Sequence, residues 1–62
     1  MMTLEVKTLQ GKSLHVETVN TLTEAKNQAI RMCGYAGFLK FMKERGGDIT
    51  AQNTKYKVDI MY

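Results

Sequence analysis

The chain has 62 residues, nine of them basic and six acidic, for a formal charge of +3 and a pI near 9.2. That length supports one domain, and a domain of this size buries only about 60% of the surface its unfolded form exposes. The single cysteine, Cys33, excludes an internal disulfide, no Cys/His cluster has zinc spacing, and no apolar run approaches the roughly 20 residues of a membrane span.

With no basic region followed by an apolar core and a small-residue cleavage site at the N-terminus, the whole chain is expected to be the mature, cytoplasmic protein. The basic excess tilts toward anionic partners. It is scattered from Lys7 to Lys57 and forms no block.

Thr3 to Leu9 alternates Leu4, Val6 and Thr8 against Thr3, Glu5, Lys7 and Leu9, and Ser13 to Val19 alternates Leu14, Val16 and Thr18 against His15, Glu17 and Val19. Both segments read as strands, and Gly11 in Gln10-Gly11-Lys12 can take the positive φ of a hairpin turn. Thr21-Leu22-Thr23-Glu24 then matches a capping box and starts a helix. Ala25, Ala29, Cys33 and Gly37 recur every four residues, giving a stripe of small side chains that lets the helix lie close to a sheet.

A helix continuing to Arg45 would run about 36 Å, longer than the roughly 23 Å of a seven-residue strand. Gly34 and Gly37 therefore predict a kink or split near Cys33 to Gly37, with Phe38 to Met42 as a second helical piece and Gly46-Gly47 as its terminator. Ile49 to Gln52 is a short strand candidate and Asn53-Thr54 a turn. Lys55 to Tyr62 alternates with Tyr56, Val58, Ile60 and Tyr62 on one face, a strand expected to share a sheet with the first one.

Val6-Lys7-Thr8-Leu9-Gln10-Gly11-Lys12-Ser13, Val16-Glu17 and the helix start Thr21 to Ile30 resemble the first hairpin and helix of ubiquitin-like, β-grasp proteins over residues 1–30. The layout is also similar to that of the immunoglobulin-binding domain of protein G. The resemblance implies an α+β fold of β-grasp-like ββαββ type, one mixed sheet covered on one face by a long, broken helix. It implies no conjugation, because the one Arg-Gly-Gly, Arg45 to Gly47, is internal. Fold likeness assigns no activity.

Catalytic chemistry needs a nucleophile and base or a paired acid and base. His15, the only histidine, stands two residues from Glu17 on what reads as the outward face, and Cys33 falls on the small-residue stripe in mid-helix. A solvated histidine and a buried packing thiol are the expected readings. No catalytic residue, metal ligand, cofactor or small-molecule substrate is assigned.

A single helix covers one sheet face, so the other face is a candidate binding surface. Lys7, His15, Glu17, Lys55 and Lys57 are expected there, with the three lysines adjacent if the first and last strands pair. Tyr35, Phe38, Phe41 and Met42 form a second candidate, since they put more apolar surface on the helix than one sheet face needs. These features point to a non-enzymatic protein-interaction module, a small inhibitor or regulator of the phage-encoded kind, binding another protein or a second copy of itself. The alternative is a basic nucleic-acid binder using Lys7, Lys55 and Lys57 with Lys26 and Arg31. No membrane partner is expected.

Overall fold

A computed structural model describes residues 1–62. Strands β1 (Met2–Thr8) and β2 (Ser13–Val19) form the N-terminal hairpin, closed by Gly11 at a φ of 98°. Helix α1 (Leu22–Cys33) follows, then a single 3-10 turn (Gly34–Ala36), and then three strands: β3 (Lys40–Lys43), β4 (Ile49–Gln52) and β5 (Tyr56–Met61). The sheet order is β2-β1-β5-β4-β3, and every adjacent pair is antiparallel.

The first and last strands are neighbours, with Leu4 opposite Ile60 and Val6 opposite Val58. They run in opposite directions. With two strands after the helix, as in a β-grasp layout, the last strand would run parallel to the first. The third strand reverses that direction, so the architecture is ββαβββ with an all-antiparallel sheet, correcting the expected ββαββ arrangement and mixed sheet.

The extra strand comes from the segment read as a second helical piece. The helix does break where its glycines predicted, but Phe38 to Met42 then continues with period two: Leu39 is buried and Phe41 half-buried, while Phe38, Lys40 and Met42 are exposed. Such alternation suits a strand and cannot line one stripe of a helix. Phe41 pairs with Ala51, a large ring against a small side chain, and Gly46-Gly47 turns the β3–β4 hairpin, closed by the Glu44 amide donating to the Asp48 carbonyl.

The helix starts as expected. Thr21 Oγ1 accepts from the Glu24 amide of the first turn at 3.2 Å, while Glu24 Oε2 reaches one residue past the cap and accepts from the Asn20 amide at 3.0 Å. Ala25, Ala29 and Cys33 are buried, and they let α1 sit on Leu4, Val6, Val58 and Ile60 of the central strands. Met2, Val19, Leu39, Ile49 and Ala51 complete the core, with no buried polar side chain.

Strand β2 faces opposite to its reading. Opposed residues of an antiparallel ladder share a face, and Val19, Glu17 and His15 oppose Met2, Leu4 and Val6, so they lie on the helix side. Leu14 and Val16, expected inside, are 50% and 56% exposed. At a sheet edge neither face is deeply buried, so alternation alone could not choose between them. Val19, buried next to the start of the helix, fixes the register, and the ladder slips by one residue at Leu14. Tyr62, also expected in the core, lies beyond the end of β5, exposed, with its ring beside Gly47.

Candidate functional site

The open face of the sheet is organised by charge. Lys7 opposes Lys57 across the β1–β5 ladder, and Glu5 opposes Asp59. Lys7 Nζ lies 3.2 Å from Asp59 Oδ2 and 3.6 Å from Glu5 Oε1. Hydrogen bonding and attraction to Asp59, with a smaller contribution from Glu5, hold the Lys7 ammonium above its ordinary pKa. Lys55 sits apart in the β4–β5 turn, beside Thr8, Leu9 and Gln10 at the end of the sheet. The lysines therefore form no single patch: Lys7 and Lys57 are adjacent as expected, but Lys7 is neutralised.

His15 and Glu17 are brought together, with His15 Nε2 at 3.1 Å from Glu17 Oε1. They do not join the open face with Lys7 and Lys57; they sit on the helix side of the edge strand. Glu17 opens onto a polar cleft of about 320 Å³ between β2 and α1, which Asn27, Gln28 and Arg31 also line. Cys33 is buried in the core, and burial raises its thiol pKa, which makes it a poor nucleophile.

The apolar candidates are divided by the strand that replaces the second helical piece. Phe41 turns to the helix side and packs against the core, with Lys26 Nζ 5.6 Å from its ring centroid. Met42 lies on the open face opposite Thr50. Tyr35 and Phe38 both lie at the exit from the helix, 73% and 88% exposed. Beside Phe38 is a groove of about 180 Å³ lined by Ile30, Gly34, Gly37 and Leu39.

This exit loop is pinned by a residue that sequence reasoning placed only in a turn. Asn53 Nδ2 donates to the carbonyls of Cys33 at 2.9 Å and Gly37 at 3.0 Å, and its Oδ1 accepts from the amides of Lys55 and Tyr56. Thr54 Oγ1 donates to the Ala36 carbonyl at 2.7 Å. The signal was an asparagine in a turn between strands, a residue that hydrogen-bonds backbone two positions on; its reach to a loop 16 and 20 residues away was not visible.

Tyr35 is fixed as well. Its ring meets Tyr56 edge-on, centroids 5.9 Å apart, and the two hydroxyls are hydrogen-bonded. That bond, with some burial, raises the Tyr56 pKa. Gly37, at a φ of 144°, makes the corner that sends Phe38 outward. No family model, curated protein or solved structure matches the chain.

Proposed function

We propose that this protein is a non-enzymatic interaction module, a small inhibitor or regulator that grips a partner protein through the helix-exit loop. The observation that carries the reading is that Phe38 is 88% exposed on a loop tied to the β4–β5 turn by Asn53 and Thr54. An aromatic side chain held out by a fixed backbone loses little freedom on binding and suits the anchor role of interface hot spots. The groove beside it takes an apolar side chain in return.

Charge sets the chemistry around the anchor. Lys40 lies two residues beyond Phe38 and is exposed, and the chain carries +3 overall. The fitting partner surface is apolar at its centre and acidic at its rim, a pairing that speeds encounter and selects orientation.

The test is affinity capture from the native host with wild type and Phe38→Ala side by side. Phe38 has no place in the core, so the variant keeps its fold. A protein retained by wild type should be lost by the variant, with affinity falling about tenfold or more. Identical capture by both would remove the loop from the interface.

Nucleic-acid binding is less well supported, because Lys7 is occupied by Asp59 and Glu5. Salt separates the two readings. A complex that neutralises six phosphates weakens roughly 10³-fold between about 50 and 200 mM salt, whereas an apolar protein contact responds little.

A further inference from the structure

We propose that β2 is a self-association edge, on which a second copy of this chain adds its own β2 antiparallel about a two-fold axis passing through Val16. This surface is separate from the Phe38 loop. The proposal stands whether or not that loop takes a partner.

The two sheet edges differ. β3 has four residues with Lys40 and Lys43 at its ends, a short, lysine-bearing edge of the kind that discourages pairing. β2 has seven residues without proline or lysine, and its outer side has no neighbouring strand. Edge strands of that length present unpaired backbone donors and acceptors in a row.

The side chains select the partner. In an antiparallel ladder, opposed residues share a face, so two copies of one strand can be centred only on a residue. Centred on Glu17, the ladder sets Glu17 against itself; centred on His15, it sets His15 against itself and leaves Glu17 facing Ser13. Centred on Val16, it places His15 against Glu17 of the partner subunit, and the reciprocal pair forms as well. Val16 meets Val16 of the partner subunit on the open face, and Leu14 meets Thr18 of the partner subunit. One register thus sets each His15 against a carboxylate that it can hydrogen-bond and covers the two apolar side chains that β2 leaves exposed.

The helix leaves room for it. α1 packs chiefly over β1 and β5, and the helix side of β2 borders an open cleft of about 320 Å³. A two-fold axis perpendicular to the sheet then puts both helices on the same side of a continuous ten-stranded sheet, five strands from each copy.

Sedimentation velocity from micromolar to millimolar protein tests the association. Wild type should move from monomer to dimer as concentration rises, and Phe38→Ala should behave the same way. Val16→Lys, at an exposed position, sets two ammonium groups together on the axis; it should keep its thermal melt and remain monomeric. The register is tested by His15→Glu, which places carboxylates opposite one another and should raise the dimer Kd about tenfold or more, and by Glu17→Lys, its complement of opposite charge. Mixed together, the acidic and basic variants should form a heterodimer. A wild type that stays monomeric at millimolar concentration, a Val16→Lys dimer, or a mixture that does not associate would each overturn the proposal.

Discussion

Asn53 shows how much one polar side chain can hold in a domain with so small a core. Its amide joins the helix exit to the β4–β5 turn through two carbonyls, and its oxygen closes that turn through two amides. Asn53→Ala is expected to cost about 2 to 6 kcal/mol, since each of the four net hydrogen bonds contributes about 0.5 to 1.5 kcal/mol; urea unfolding measures it. Asn53→Asp keeps the acceptor but sets a carboxylate against two carbonyls, so it should be destabilising at neutral pH and partly relieved in acid. Two other residues contribute to the alkaline side of the stability profile. Lys7 and Tyr56 both have native pKa values raised above their ordinary ones, so each stabilises the fold fully below its unfolded pKa and stops doing so as pH climbs through the native value. Thermal melts across the alkaline range should fall less steeply in Lys7→Met and Tyr35→Phe than in wild type, because each variant removes one of these linkages.

At the scale of elements, the helix is the part whose design is written locally. Thr21 caps it, and Thr21→Ala should lower stability by about 1 kcal/mol in a denaturant titration. The 3-10 turn beyond its far end is closed by Gly37, whose φ of 144° lies outside the range of L side chains. Gly37→Ala should cost about 1 to 3 kcal/mol and loosen the Phe38 loop, visible as faster amide exchange there. The first hairpin, the helix start, the small-residue stripe from Ala25 to Cys33, the break after Cys33 and the pairing of the end strands were legible, because each rests on nearby residues or on strong alternation. The stripe does not run on to Gly37, which lies outside the helix. Two things were not. Phe38 to Met42 contains spacings that satisfy both a helical stripe and a short strand, and only the pairing of Phe41 with Ala51 decides between them. The face of β2 depended on Val19 and on the slip at Leu14, which are matters of register and not of composition. For the same reason the sequence named Tyr35, Phe38, His15 and Glu17 as candidates but grouped them with the wrong neighbours.

The molecule as a whole stands on β5. This strand pairs with β1 on one side and β4 on the other, and it contributes the fully buried Val58 and Ile60. A domain of this length has a net stability of roughly 3 to 9 kcal/mol, and truncating a buried isoleucine to alanine costs about 2 to 5 kcal/mol. Ile60→Ala should therefore leave a substantial unfolded fraction at room temperature, seen as a lost or broadened cooperative melt. Deleting Tyr56 to Tyr62 should abolish folding, because β5 is the one strand that joins the two hairpins into a single sheet. No helix is long and apolar enough to cross a membrane.

The antiparallel pairing of β1 with β5 also sets Thr3 directly across from Met61. Because the chain starts and finishes at the same end of adjacent strands, a short graft from Tyr62 to Met1 would make them an ordinary hairpin. Fresh termini could then be cut at Gln10 to Lys12 with every ladder of the sheet retained, giving a circular permutant with the parent's architecture.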